Sequence, residues 1–248
     1  MTLAPDREIA HKPLKEEIFD ALHRQIIAGK YAPGDWMRQD DIANQMGVSM
    51  TPVREAFDLL VASGLAERVP YRGVRVREMS TKDIVEAYGV RLILEAIIAK
   101  EAAKHITPGQ IKELEMVLAE MQELHPLNEM SQIRQASREF HSRIADASNN
   151  DLLVKLYAVV SNAFPDWLLY EAIFRNPELL TTSIEDMHKE HTAVVDALKK
   201  GDEERTIQKS IEHVLESGKW LEEYLEIPSK LLREKEEQVI FLIKKPKK

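Results

Sequence analysis

Residues Val48 to Val76 read VSMTPVREAFDLLVASGLAERVPYRGVRV, and their order decides the fold. Ser49 stands as an N-cap, and Pro52 falls in the first helical turn, where its missing N–H costs nothing. Val53, Phe57, Leu60 and Val61 recur at helical spacing, so one face packs and the other stays free. Ser63-Gly64 ends the helix. Two stretches of strand character, Leu65–Val69 and Gly73–Val76, then bracket the turn Pro70-Tyr71-Arg72-Gly73, with an arginine at its tip.

The preceding segment completes the unit. Asp40–Met46 forms a short helix, and Gly47-Val48-Ser49 joins it tightly to the next. That is helix-turn-helix spacing, with the second helix in the recognition position. Further upstream, Leu14–Ala28 carries Ile18, Leu22, Ile26 and Ile27 on one helical face and stops at Gly29. Tyr31-Ala32-Pro33-Gly34 breaks the chain before Trp36. Helix, helix, turn, helix and wing make a winged helix-turn-helix.

Bulk properties narrow the class. A chain of 248 residues is long enough for two domains. It has no run of 18 apolar residues to span a membrane and no hydrophobic signal core, so the expected location is cytoplasmic. With no cysteine, disulfides, thiolate metal sites and cysteine nucleophiles are excluded. The net charge of −8 does not suit a DNA binder until it is divided. Up to Glu78 there are 11 basic against 12 acidic residues, and 23 against 30 beyond it. Basic character is local, in Arg54, Arg68, Arg72, Arg75 and Arg77, and a handful of arginines suffices for phosphate contacts.

From Ser80 to about Glu226 the chain is helix after helix. Ser80-Thr81-Lys82-Asp83 resembles a capping box and opens a long helix toward His105. Thr107-Pro108-Gly109-Gln110 opens the next, reaching about Leu124. A third covers roughly Met130–Ala147, and a fourth runs from Asn150 or Asp151 through Phe174 with a kink at Pro165. Asn176-Pro177-Glu178 opens a fifth that ends at Gly201, and Asp202 caps a sixth reaching Tyr224. The expected fold is therefore mainly α. A winged helix-turn-helix covers residues 10–78, and an antiparallel bundle of about six helices covers 79–226, with any pocket lying between helices. Residues 227–248 form a tail: Lys230–Gln238 fits an amphipathic helix, Val239–Ile243 is an apolar run with β character, and a basic end follows.

The words IIAGKYAPGDWM, DDIANQMGVSMTPVREAFDLLVASGL and PYRGVRV resemble the GntR family of regulators. AYGVRLILEAIIAKEAA, from Ala87, resembles the start of its FadR-type all-helical effector domain, and the likeness spans roughly residues 14 to 225. The resemblance implies a bacterial homodimer that binds a palindromic operator in double-stranded DNA. It releases or rearranges there when a small organic acid binds the helical domain. It also implies that His141, His191 and His213 hold a divalent metal such as Zn²⁺ or Ni²⁺. In many relatives an aspartate one turn before the first histidine is the fourth ligand, and here that position is Ser137. The alternative is that the three histidines line an anion pocket without metal. His188 is expected on a neighbouring face.

Four residues are candidates for the effector. Arg91 is either half of a half-buried ion pair with Glu95 or a bidentate carboxylate anchor. Ser137 and Arg138 lie near the His141 face, with Arg134, where Arg138 meets an anion or solvent. Asn150 either caps a helix or touches the ligand, and Trp167, Tyr170 and Phe174 suit a core or dimer interface. On the DNA side, Arg54 matches the arginine that the family uses on phosphate or guanine, its alternative being a surface pair with Asp58. The family's usual arginine after Ser49 is Met50, and another at the start of the second helix is Asp40. Base contacts then fall to Ser49, Thr51, Arg54 and Gln39, with Arg72 and Gly73 of the wing on the minor groove and backbone.

The leading function is a transcription regulator governed by a small carboxylate-type effector. One alternative is a metal-dependent enzyme built on the three histidines, opposed by the lack of a nucleophile or carboxylate in a recognised spacing. Glu139 and Glu190 adjoin the histidines but, as helix neighbours, are expected to point elsewhere. The other is a ligand-independent DNA-binding dimer.

Overall fold

Glycine and proline punctuation sets the N-terminal unit. The computed structural model describes residues 13–243 apart from positions 71, 165 and 175. Its first elements are α1 (Leu14–Ile27), β1 (Trp36–Met37), α2 (Gln39–Met46), α3 (Met50–Ala62), β2 (Ala66–Val69) and β3 (Gly73–Val76). Gly47 turns the chain between α2 and α3 in the left-handed region, at φ 68°. Val53, Phe57 and Leu60 are buried, as their spacing predicts. Ser49 occupies the N-cap position of α3, yet its side chain makes no cap hydrogen bond. The join is held instead by Gln39, whose Nε2 donates to the Met50 carbonyl at 2.6 Å.

The wing contains a strand that the sequence does not announce. β1 pairs antiparallel with β3, and the sheet order is β1-β3-β2. Two residues are too few to display alternation, so β1 is legible only once Trp36 lies opposite Arg75 and Met37 opposite Val74.

The bundle consists of α4 (Thr81–His105), α5 (Pro108–Glu123), α6 (Pro126–Ala147), α7 (Asp151–Ala163), α8 (Asp166–Phe174), α9 (Pro177–Lys199) and α10 (Glu203–Tyr224). Full capping boxes open α4, at Ser80 with Asp83, and α5, at Thr107 with Gln110. The expected fourth helix is two, α7 and α8. Phe164 between them is extended, at φ −75° and ψ 137°, as the residue before a proline prefers. The kink at Pro165 itself, like Tyr71 in the wing, lies outside the described residues.

The tail also departs from expectation. Val239–Ile243 is not a strand but the end of α11 (Ser229–Ile243). A short apolar run has no period of its own. Burial of Leu232 and Val239 against α4 and α10 extends the helix that precedes it. The Tyr88 hydroxyl donates to Glu236 Oε1 at 2.9 Å, tying α4 to α11. Gly218 of α10 makes room for that tyrosine, since a Cβ there would fall 2.3 Å from its oxygen. Residues 1–12 and the basic end 244–248 lie outside the described residues. One hydrophobic core runs from Ile18 in α1 through Leu198 in α9, and a second joins α4, α8, α10 and α11. No single described helix is long and apolar enough to cross a membrane.

Candidate ligand and metal site

Three helices bring the histidines together. Phe140-His141 lies on α6, His191 on α9 and His213 on α10, all buried, with one nitrogen of each within 4.8 Å of the others. His213 Nε2 and His141 Nε2 face each other at 3.1 Å. Behind them stand carboxylates: Glu190 Oε2 is 2.7 Å from His213 Nδ1, and Glu95 Oε2 is 3.8 Å from His141 Nδ1. The carboxylate bonded at His213 Nδ1 favours the proton there, which turns that ring's Nε2 lone pair toward His141. His191 stacks on Phe140 at 4.3 Å, and neither of its buried nitrogens has a partner among the described residues. Burial, then the neighbouring His213, pushes both His141 and His191 well below their ordinary 6.5, so both rings stay neutral and ready to ligate. This set fits a divalent metal.

Beside the histidines a cavity of ≈ 660 Å³, counted with its open mouth, runs between α4, α6, α7, α8, α9 and α10. Arg91, Ser137, Arg138, His141 and His213 all line it. Arg91 is more buried than expected, its Nε 2.6 Å from Glu95 Oε1 and its guanidinium 4.5 Å from the Phe164 ring. Ser137 donates to the Tyr170 hydroxyl, and burial pushes that phenol up to about 12, so it stays protonated. Asn150 does not line the cavity: it caps α7, accepting from the amides of Leu152 and Leu153 at 3.1 and 3.2 Å. Its local position, first before a helix, outweighs the effector role expected of it. His188 faces a separate cleft with Met121 and Ile184. Trp167 and Tyr170 are buried, while the side chain of Phe174 lies outside the described residues.

The wall of this cavity also seats the winged unit. Arg138 donates to the Asn162 side chain, to the Ser161 carbonyl at 3.2 Å and to Asp166 Oδ2 at 3.4 Å. The Asn162 carbonyl accepts from Arg77 at the end of the wing. Gly64 packs so closely there that an added Cβ would lie 2.7 Å from the same oxygen. Arg134, 1% exposed, bridges Asp166 at 2.8 Å and the Ser63 carbonyl at 3.0 Å. Burial raises the Asp166 carboxyl, but Arg134 and Arg138 outweigh it and hold it below the usual carboxylate range. His23 of α1, buried beside these arginines, is pushed well below 6.5 by burial and then by Arg134.

At the other end of the winged unit, Thr51, Arg54, Arg72 and Gly73 are exposed, as is Met50. Asp58 does not pair with Arg54; it takes Arg68 of β2 at 2.5 Å.

Comparison with known proteins agrees with this architecture. Residues 14–76 match the bacterial regulatory proteins of the gntR family, and residues 86–216 match the FCD domain. The chain belongs to the GntR family of bacterial regulators. It is 30% identical over 183 residues to the HTH-type transcriptional regulator McbR of Escherichia coli, covering 73% of this chain and 82% of that protein. It is 29% identical over 211 residues to a probable D-xylose utilization operon transcriptional repressor of Paenarthrobacter nicotinovorans, covering 85% and 90%. The solved structure of E. coli McbR/YncC superposes with a TM-score of 0.63 at 23% identity, over 86% of this chain and all (100%) of that one. These GntR relatives are transcription regulators, and this chain is one, not an enzyme.

Within the GntR frame, two acids escaped the sequence reading. Glu139 does turn away, to Arg143, but Glu190 reaches across to His213. Adjacency to His191 within α9 hides this, because the contact depends on how α9 packs on α10. Asp166 gave one local sign, its place directly after Phe164-Pro165, where a helix restarts.

Proposed function

We propose that this regulator is a cytoplasmic homodimer whose hold on a palindromic operator is set by a small organic acid bound beside a divalent metal in the helical bundle. The observation that carries this reading is the convergence of three buried histidines, two of which, His141 and His213, line a cavity whose wall at Asp166 also holds the arginine that anchors the winged unit. His141, His191 and His213 would hold Zn²⁺ or Ni²⁺, with Glu190 fixing the His213 ring. Bound there, the ion supplies positive charge and an open coordination position for a carboxylate. That charge is needed. Arg91 and Arg138 line the cavity against Asp166, Glu190 and Glu216, so the protein's own charges do not favour an anion. An anion drawing Arg138 inward loosens its bonds to Asn162 and Asp166, and shifts the winged unit by as much as its affinities for the two arrangements differ.

Residues 13–78 act as the DNA-binding domain and 79–226 as the effector domain in this reading, with Ser49, Met50, Thr51, Arg54, Arg72 and Gly73 toward DNA. A duplex selected by the protein from random sequence, then titrated with a carboxylate panel, tests the whole. Zn²⁺-loaded protein should change its affinity for that duplex about tenfold with at least one carboxylate. A selected duplex indifferent to every carboxylate would favour the ligand-independent dimer.

The dimer is supported by a bare apolar face. Val90, Ile93 and Ile97 on α4 and Leu152, Leu156 and Val159 on the adjoining α7 are 39% to 67% exposed. Contiguous exposure of that kind marks an interface. Val159→Asp together with Leu156→Asp should convert a dimer to monomer in sedimentation velocity; an unchanged dimer places the interface elsewhere.

A further inference from the structure

Fewer arginines face outward from the winged unit than its sequence contains. Arg68 is paired with Asp58, Arg75 with Glu67, and Arg77 is spent on the Asn162 carbonyl of the bundle. Met50 and Asp40, at the starts of α3 and α2, supply no positive charge. The short strand β1 supplies other groups. Met37 is buried, 1% exposed, so Trp36 and Arg38 on either side of it project from the opposite, outer face of the sheet. With Trp36 opposite Arg75 and Met37 opposite Val74, the register carries Arg38 to the level of Gly73, beside Arg72 at the wing tip.

Arg38 is also the N-cap residue of α2. Its neighbour Gln39 donates to the carbonyl of Met50, the first residue of the recognition helix. Arg38 therefore lies between the start of α3 and the tip of the wing. Trp36, Arg38 and Arg72 line one open recess. Trp36 is 40% exposed, and the Arg75 guanidinium sits 5.8 Å from its ring. Among the described residues neither Arg38 nor Arg72 forms an ion pair, and both are exposed.

We propose that Trp36, Arg38 and Arg72 form a clamp on the DNA backbone that joins the recognition helix to the wing. Two guanidiniums flank a phosphodiester, which suits their forked donors, and the indole packs on the adjoining deoxyribose. Such a clamp positions the domain without reading sequence. It supplies cationic contacts at the ends of α2 and the wing where Met50 and Asp40 supply none. The proposal rests on the DNA-binding reading of this unit, and its test separates the two.

Full-length protein is titrated against a selected duplex and a random duplex of equal length by fluorescence anisotropy at several salt concentrations. Arg38→Ala and Arg72→Ala should each weaken both duplexes by a similar factor, about tenfold. Each should also lower the slope of log affinity against log salt by about one per subunit. Arg38→Lys should restore the slope, and Trp36→Phe should remove the fluorescence change on binding DNA. Arg54→Ala should instead narrow the gap between selected and random duplex. Wild-type affinity and slope in Arg38→Ala, with Arg54→Ala impaired, would overturn the clamp and leave DNA binding standing. Failure of the parent protein to bind either duplex would overturn both.

Discussion

Zn²⁺ added to metal-free protein is expected to raise the unfolding midpoint by about 10 °C at a free concentration near 1,000 times its dissociation constant. Binding to the native state alone contributes about 4 kcal/mol under those conditions, and a domain of this size shifts by about 2–4 °C per kcal/mol. His191→Ala should erase the response. Its nitrogens bond no described residue, so removing the ring orphans no polar partner. Ser137→Asp, which adds an anionic donor one turn before His141, should enlarge the shift. Glu190→Gln keeps the shape but weakens the hold on His213, and should reduce metal affinity about 10- to 100-fold. No bound ion by elemental analysis and no midpoint shift with Zn²⁺ or Ni²⁺ would refute the metal site. The effector search would then turn to ligands matching Arg138, Glu190 and Glu216 directly.

Asp166→Ala is the substitution with the other large expected effect. Arg134 is buried to 1% exposure, with two of its guanidinium nitrogens already unpartnered among the described residues. Removing its carboxylate leaves a charge inside the protein, at a cost of about 3–5 kcal/mol. The loss falls at the seat of the winged unit, so protection of the Ser63-Gly64 turn from hydrogen exchange should fall with it. Replacing both members by apolar residues, Arg134→Met with Asp166→Leu, should recover most of the stability. The pH dependence has a definite sign. The folded-state carboxyl lies below its ordinary 3.8, so its contribution is complete above that value and disappears as pH falls through the lower folded value. Urea titrations should therefore show the full gap between wild type and Asp166→Ala at pH 7 and a shrinking one below about pH 4. A gap under about 1 kcal/mol at pH 7 would mean that Arg134 and Asp166 do not hold the two units together.

Short-range signals were the readable ones. Gly47 and Pro52 mark the turn and the first turn of α3, while Ser80 with Asp83 and Thr107 with Gln110 mark helix starts, because each contact lies within four residues. The histidines were readable through the resemblance, which names positions but not surroundings. What could not be read depends on packing between distant segments. Arg77 meets Asn162, Arg134 meets Ser63, and Glu190 meets His213 only after α6, α7 and α10 have taken their places. Of the two readings open for Asn150, the structure shows the local one, a cap at a helix end.

The placement of α11 bears on the order of folding. The Tyr88 hydroxyl waits for Glu236, 148 residues later, and Leu232 and Val239 close the second hydrophobic cluster. Closing a contact so distant in sequence costs loop entropy, so covering α4 is the step on which slow folding of the bundle would fall.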